Sequence, residues 1–202
     1  TLLDGKEAST ALLKSLAPRV EELDPKLVIV QVGDDPASAS YIKQKIKSCE
    51  SVKMRNEHKH LPEDTDLETL MAQIDELNAD DDVSGFLVQL PLPAQLQDHV
   101  PQIIRQIDPK KDVDGFCAYN LGKVFLSTEF EDLPPATPSG VIELLDHFNI
   151  EIEGKDAVVV GHSNTVGKPL STMLLNRNAT VTTCHIGTKD LARHTREADI
   201  LA

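Results

Sequence analysis

A glycine-containing loop that could bind a phosphate group follows an apolar run in the last third of the chain. Residues 157–160 predict a buried strand, and residues 169–176 predict a helix. Between them lie Gly161, His162, Ser163 and Gly167. A strand, a glycine turn and a helix in this order direct backbone N–H groups and the positive end of the helix toward one point, which favours a pyrophosphate. The spacing differs from G-x-G-x-x-G, and an ordinary tight turn is the alternative.

The end of the next predicted strand, residues 179–184, indicates which dinucleotide would bind. NAD-binding folds place an acidic residue there for the ribose 2′-hydroxyl. This chain has His185 and Ile186 instead, and no carboxylate before Asp190. The missing acid leaves room for a 2′-phosphate, with His162 and Lys189 as candidate basic partners. NADP is therefore the predicted cofactor, with NAD as the alternative, because histidine is only partly charged near neutral pH.

Polar side chains that could transfer protons occur near predicted element ends in the first half of the chain. Tyr41 and Lys45 are one helical turn apart and share a face beside an apolar stripe. Gln89 lies near the end of an apolar strand, just before a Pro-Leu-Pro turn, where its amide must find a partner. The alternatives are that Lys45 belongs to a solvated basic face and that Gln89 satisfies only the loop backbone.

The remaining carboxylates and histidines show no metal-binding pattern. Asp112 and Asp114 alternate, so in an extended chain they point to the same side, but no third ligand at suitable spacing accompanies them. A charged loop is the alternative interpretation. His58 and His60 lack the spacing of a zinc motif and are predicted to be surface residues. We therefore predict no metal site.

The composition favours a small-molecule partner. The chain has 202 residues, of which 40% are hydrophobic, and a formal net charge of −13. This charge argues against a nucleic-acid or anionic-membrane surface. Three distant cysteines without a C-x-x-C pair indicate a reducing compartment. No apolar run reaches the length of a membrane span and no signal peptide is visible, so we expect a cytoplasmic protein, with an organelle matrix as the alternative.

Alternating helix and strand patterns predict an α/β fold with a mainly parallel sheet. The predicted helices cover about 11–20, 38–52, 67–77 and 137–148, and the predicted strands cover 27–32, 83–90, 157–160 and 179–184. Pro134 and Pro135 predict a boundary between a catalytic domain, 1–135, and a Rossmann-like domain, 136–202. Residues 199–202 resemble the start of a further strand, so we expect the second domain to be incomplete at its C-terminus.

The sequence resembles the methylenetetrahydrofolate dehydrogenase/cyclohydrolase family along almost its whole length. Seven blocks in the family's order carry the resemblance: LLDGK (2–6), VGDDPASASYIKQK (32–45), GFLVQLPLP (85–93), KDVDGF (111–116), TPSG (137–140), VVVGHSNTVGKP (158–169) and ATVTTCH (179–185). The family's later P-G-G-V-G-P-M-T segment has no counterpart here, so a complete member would continue further.

The resemblance implies two α/β domains with the active site between them, and usually a homodimer. It implies oxidation of 5,10-methylenetetrahydrofolate to the methenyl compound and hydrolysis of that compound to 10-formyltetrahydrofolate. Lys45 matches the lysine of the hydrolytic step, Tyr41 the tyrosine on its helix and Gln89 the glutamine that supports the lysine. Tyr41, Gln89 and Asp114 match substrate-binding positions. The positions expected to bind the cofactor are Gly161, His162, Ser163, Gly167 and Ile186.

Two departures from the family leave other functions open. His162 stands where the family commonly has arginine, and Ile186 stands where it commonly has serine. An NAD-dependent or monofunctional dehydrogenase is therefore one alternative. A noncatalytic nucleotide- or folate-binding paralogue is the other, suggested by the missing C-terminal segment, although the retained Tyr41, Lys45, Gln89 and Asp114 argue against it.

Overall fold

The computed structural model describes residues 2–202, which divide into two compact units. One unit comprises residues 9–113, and the other comprises residues 2–8 and 114–202. The helices are α1 Gly5–Leu23, α2 Pro36–Ser51, α3 Leu67–Ala79, α4 Ala94–Gln97, α5 Val100–Gln106, α6 Ala118–Leu126, α7 Ala136–His147, α8 Gly167–Leu175 and α9 Leu191–Arg196, with a 3₁₀ turn at Thr128–Phe130. The strands are β1 Lys26–Val32, β2 Arg55–Leu61, β3 Gly85–Val88, β4 Asp156–Val160, β5 Thr180–Cys184 and β6 Ile200–Leu201. The predicted α/β class with parallel sheets is confirmed.

In the 9–113 unit, β1 is the central strand, because β2 and β3 pair with it in parallel on its two sides. Both faces of this sheet are covered, which explains the continuous apolar run in β1. Val28 and Val30 belong to the larger core, which includes residues of α3 and α5. Ile29 packs on the other face with Ile42 of α2 and Leu87 of β3. The second face is therefore the one that receives α2.

In the other unit, β4 is the central strand between β5 and β6, and both pairs are parallel. Ala157 and Val159 of β4 pack in one core with residues of α8, including Leu170 and Leu174. The prediction of a further strand within residues 199–202 is confirmed, because Ile200 and Leu201 pair with β4.

The three strands of each sheet are connected in the same order. The chain passes from the central strand to a neighbour on one side and then crosses to the opposite side. This reversal opens a crevice at the carboxyl ends of the strands, where open α/β sheets bind ligands. Because β1 ends at Val32 and β4 ends at Val160, the loops 33–35 and 161–166 lie at these two crevices.

The structure differs from the sequence-based predictions at several elements: α1 begins at Gly5 rather than near residue 11, and α4, α5, α6 and α9 were not predicted. Residues 55–61, for which the sequence predicted neither helix nor strand, form strand β2, whose pairing with β1 stabilises a sequence that lacks an apolar pattern. Helix α7 spans Ala136–His147, one residue earlier at each end than the predicted 137–148. Strand β3 is shorter than predicted and ends at Val88. The proposed division of the chain at residue 135 stays a prediction.

All three cysteines of the chain are buried, and none forms a disulfide. Cys49 lies on α2 in the 9–113 unit, and burial raises the pKa of its thiol. Cys117 precedes α6 and Cys184 ends β5, both in the other unit.

Candidate active site

Helix α2 positions two of the predicted catalytic side chains. Its first turn is capped by Asp35, whose Oδ2 accepts a hydrogen bond from the Ser38 backbone N–H at 2.7 Å. Hydrogen bonds from Ser38 hold the pKa of the Asp35 carboxyl below its usual range. Pro36 at the start of the helix suits this position because its missing N–H would have no intrahelical acceptor.

The helical phase of α2 turns Lys45 toward the sheet. Ser38, Ile42 and Cys49 are buried, and Lys45 lies on the same face and is half-buried. Tyr41 precedes Lys45 by one turn, and its side chain is 63% exposed. The structure therefore does not place Lys45 on a fully solvated basic face of the helix, which was the alternative interpretation.

Lys45 and Gln89 contact each other although they are 44 residues apart in the chain. The Lys45 Nζ donates a hydrogen bond to Gln89 Oε1 at 3.3 Å. The Gln89 Nε2 donates to the Leu90 carbonyl at 2.7 Å, which orients the amide with its oxygen toward the lysine. Gln89 thus contacts both the loop backbone and the amine. Tyr41 makes no hydrogen bond to this pair.

A second amide on the same sheet, Gln31, is not among the residues that the sequence predicts for the site. It is 4% exposed near the carboxyl end of β1. Its Oε1 lies 3.0 Å from His58 Nε2, and its Nε2 donates to the Gly33 carbonyl at 2.7 Å. Burial and the charge of His60 lower the pKa of His58. The only signal in the sequence was a single glutamine within an apolar strand.

A cavity of about 370 Å³ opens beside the carboxyl ends of β1 and β3. Its wall combines Pro91 and Pro93 with the carboxylates of Asp34, Asp35 and Glu63. The position agrees with the crevice expected from the strand order.

Asp114, the predicted substrate-binding aspartate, is half-buried in the unit of residues 2–8 and 114–202. Gly115 follows it with a φ of 69°, and a Cβ there would overlap the backbone of Pro134 and Pro135. This close approach fixes the chain direction after Asp114. Asp112 is 1% exposed, and its backbone bridges to Phe86 at the edge of β3.

The predicted cofactor residues occupy two neighbouring loops. Gly161 has a φ of 133°, and its N–H donates to the Cys184 carbonyl at 2.8 Å, which joins the loop after β4 to the end of β5. Ser163 Oγ accepts hydrogen bonds from the N–H groups of Val166 and Gly167. A Cβ at Gly167 would overlap the Gly161 carbonyl, so only glycine allows the helix to approach the loop this closely.

Two imidazole rings meet between these loops. The ring centroids of His162 and His185 are 4.9 Å apart, and Ile186 beside them is fully exposed. The Gly187 N–H donates to His185 Nδ1 at 3.1 Å, which holds this ring in place. The sequence indicated His185 only as the replacement for an acid, and the ring contact was not predicted.

Two features are absent from residues 2–202. No group of three or more His, Cys, Asp or Glu side chains is placed to hold a metal ion. None of the helices described for these residues is long and apolar enough to cross a membrane.

The chain matches two family models and many individual proteins. Residues 3–114 match the tetrahydrofolate dehydrogenase/cyclohydrolase catalytic domain, and residues 135–202 match the NAD(P)-binding domain of the same family. The bifunctional protein FolD of Methanosarcina mazei is 46% identical over 206 residues, which cover 99% of this chain and 70% of that protein.

Solved structures agree with these matches. The bifunctional methylenetetrahydrofolate dehydrogenase/cyclohydrolase of Campylobacter jejuni is 44% identical with a TM-score of 0.94, covering 100% of this chain and 72% of that one. The Trypanosoma brucei dehydrogenase–cyclohydrolase, solved with NADP and an inhibitor, is 30% identical with a TM-score of 0.93, covering 100% of this chain and 71% of that one. This chain therefore belongs to the tetrahydrofolate dehydrogenase/cyclohydrolase family.

Proposed function

We propose that this protein oxidises 5,10-methylenetetrahydrofolate with NADP and hydrolyses the resulting 5,10-methenyltetrahydrofolate to 10-formyltetrahydrofolate. The observation that carries the proposal is the Lys45–Gln89 hydrogen bond at the carboxyl end of the sheet. It places an amine, oriented by an amide, where the strand order predicts a ligand. The relatives named above are described as bifunctional or as dehydrogenase–cyclohydrolases, which supports the same reaction pair.

Lys45 serves the hydrolytic step in this proposal. Water adds to the methenyl carbon and loses one proton, which gives a neutral hydroxyl adduct. The bond from that carbon to N5 then breaks as N5 gains a proton, and the hydroxyl proton leaves to solvent as the formyl C=O forms. A positioned amine can accept the first proton and deliver the second. Gln89 holds the amine through its Oε1, and the exposed ring of Tyr41 is available to pack against the folate. Asp114 is the proposed partner of the pterin, where a carboxylate would accept charge-assisted hydrogen bonds.

The loop after β4 fits the dinucleotide. Gly161 has open space beside its Cα for close approach of a pyrophosphate, and Gly167 lets the first turn of α8 pack against the loop. Ser163 Oγ accepts a hydrogen bond from the Gly167 N–H at the start of this helix. His162 and Ile186 lie at the end that would receive the adenosine ribose. These residues would hold NADP, which would supply the acceptor for the hydride of the methylene carbon, and this step would depend on aligned rings more than on a strong base.

We also propose the partners of the protein and its location in the cell. The folate substrate is a small molecule, and the net charge of −13 disfavours nucleic acids and anionic membrane surfaces. We propose a homodimer, as the family resemblance implies. Three reduced and buried thiols suit the cytoplasm.

The test of the function uses the purified protein with 5,10-methylenetetrahydrofolate and either NADP or NAD. Methenyltetrahydrofolate and the reduced nucleotide both absorb in the near ultraviolet, so the methenyl compound is measured after acid quenching, which destroys the reduced nucleotide. We expect NADP-dependent formation of the methenyl compound and faster disappearance of added methenyl compound than in buffer. Oxidation without accelerated hydrolysis would show a monofunctional dehydrogenase. Failure of both reactions, with nucleotide still bound, would contradict the proposal.

Replacing His162 by arginine is expected to tighten NADP binding at neutral pH. Arginine is a permanent planar cation that can pair with a phosphate through two hydrogen bonds, whereas histidine is mostly neutral. We expect the ratio of NADP to NAD affinity to rise about tenfold, the scale of one hydrogen bond to a charged group. Calorimetric titration with both nucleotides measures this ratio. An unchanged ratio would remove His162 from the 2′-phosphate site.

A further inference from the structure

Gln31 lies in a polar row that crosses the sheet of the 9–113 unit at its carboxyl edge. It pairs in register with His60 of β2. On its other side, the register of Val30 with Val88 places Gln89 at the next position, and the Gln89 N–H donates to the Val30 carbonyl at 2.8 Å. Residues at equivalent register positions of parallel strands present their side chains on the same face. Gln31 is thus the buried neighbour of the amide that contacts Lys45.

The two amides are bonded in the same way. Gln89 donates to the carbonyl of Leu90 and turns its Oε1 to Lys45. Gln31 donates to the carbonyl of Gly33 and turns its Oε1 to His58. Each amide therefore fixes a loop carbonyl just beyond its own strand.

The Gly33 carbonyl has a second donor. His60 Nε2 lies 2.9 Å from it, and the rings of His58 and His60 stack with centroids 5.7 Å apart. The Gly33 N–H donates to the Leu61 carbonyl at 3.0 Å, so both backbone polar groups of Gly33 are bonded to this edge. Strand β2, through its two histidines, thus holds the loop that follows β1.

This loop leads directly into α2. Asp35 caps the helix, and Ser38 Oγ approaches the same Leu90 carbonyl that Gln89 uses, at 3.5 Å. Ser38 and Lys45 share the sheet-facing side of the helix. A shift of the Gly33 carbonyl would therefore move the start of the helix relative to Gln89, and with it the amine of Lys45.

We propose that Gln31 is a positioning residue for hydrolysis: it fixes the Gly33 carbonyl and thereby the placement of helix α2, so that Lys45 meets Gln89. This inference rests on the hydrolytic role proposed for Lys45. Gln31 itself touches neither the amine nor, in this proposal, the substrate. Its effect is confined to the step that needs a correctly placed amine.

The first experiment compares the two activities of the Gln31→Leu protein. Leucine fills the buried space but neither donates to Gly33 nor accepts from His58. We expect kcat for methenyltetrahydrofolate hydrolysis to fall about 10- to 100-fold, the scale of a small misplacement of a catalytic group. The KM for that substrate and the kcat of the dehydrogenase should change less than threefold. Equal losses in both activities, or no loss, would overturn the proposal.

Two further variants separate positioning from general destabilisation. Asn78→Leu is the matched control, because Asn78 bridges the Gln106 carbonyl and the Asp108 N–H in the same unit without contacting the Gly33 loop. It should lower the melting temperature without changing the ratio of the two activities. If Gln31→Leu does not fold, Gln31→Glu takes its place, since it keeps the acceptor for His58 but cannot donate to Gly33. The expected ratio of activities is the same.

A double variant tests whether Gln31 acts through Lys45. In a Lys45→Met background, Gln31→Leu should cause no further loss of hydrolysis, because residues that act through one group are not additive. An additional loss similar to that in the parent protein would show that Gln31 acts independently of the lysine.

A measurement without folate distinguishes failure of this inference from failure of the proposed function. The rate at which an amine-reactive reagent labels each lysine of α2 is measured by mass spectrometry. Gln31→Leu should change the rate at Lys45 at least threefold and leave the exposed Lys43 and Lys47 unchanged. An unchanged rate at Lys45, or equal changes at all three, would overturn the positioning role. This criterion applies even if the parent protein hydrolyses no methenyltetrahydrofolate.

Discussion

Replacing Lys45 by methionine is expected to slow hydrolysis of methenyltetrahydrofolate by about 100-fold or more, the usual contribution of general acid–base catalysis. Methionine keeps most of the apolar stem that lies against the core boundary, so the helix should remain in place. It removes the amine that donates to Gln89 Oε1 and that would move protons during hydration and ring opening. Hydride transfer depends on alignment of the rings, and an appreciable part of it should persist.

The matched control is Lys47→Met, on an exposed side of the same helix. It should leave both activities near those of the parent protein. The loss of absorbance of the methenyl compound, without nucleotide present, measures the hydrolytic step directly. A folded Lys45→Met protein that hydrolyses this compound as fast as the parent would remove Lys45 from proton transfer.

Replacing Gly167 by alanine is expected to weaken NADP binding about 10- to 100-fold, which corresponds to the 1–3 kcal/mol typical of overpacking. The added Cβ would overlap the Gly161 carbonyl and push the loop and the first turn of α8 apart. The dehydrogenase should lose affinity for its cofactor, whereas hydrolysis of added methenyl compound should change little. Calorimetric titration with NADP and the hydrolysis assay together measure this separation.

Gly122→Ala provides the comparison for the glycine substitution. Gly122 lies inside α6 of the same unit, and a Cβ there meets nothing within 4 Å. Alanine should stabilise this helix by up to about 1 kcal/mol, with no change in NADP affinity. Unchanged NADP affinity in folded Gly167→Ala would show that the close contact with Gly161 does not shape the nucleotide site.

The sequence predicts the parts of the fold that carry a local signal. The apolar run before Gly161 and the glycines after it predict β4, its loop and α8 within a few residues. Strand β2 has no such signal, because Arg55, Lys59 and the two histidines between Asn56 and Leu61 are polar. Its strand conformation comes from pairing with β1, a contact that local patterns do not show.

The same distinction applies to the candidate site. The phase of α2 favoured a shared face for Tyr41 and Lys45, but the partner of Lys45 lies 44 residues further along the chain, directly after β3. The family resemblance, not the spacing, indicated Gln89 as that partner. Gln31 could not be interpreted from the sequence because its partner His58 belongs to the strand that was missed. A role that depends on a contact between segments distant in the sequence can be recognised only in the folded structure.

The buried thiols give each unit its own internal reporter of conformational opening. A thiol that is 7% exposed or less must become accessible before a reagent such as iodoacetamide can alkylate it. Cys49 reports on the 9–113 unit, and Cys117 and Cys184 report on the other unit. Alkylation rates of the unmodified protein, resolved by peptide mass, would therefore give separate opening free energies for the two units. Added NADP should slow the labelling of Cys184 if it stabilises the loop that is bonded to its carbonyl.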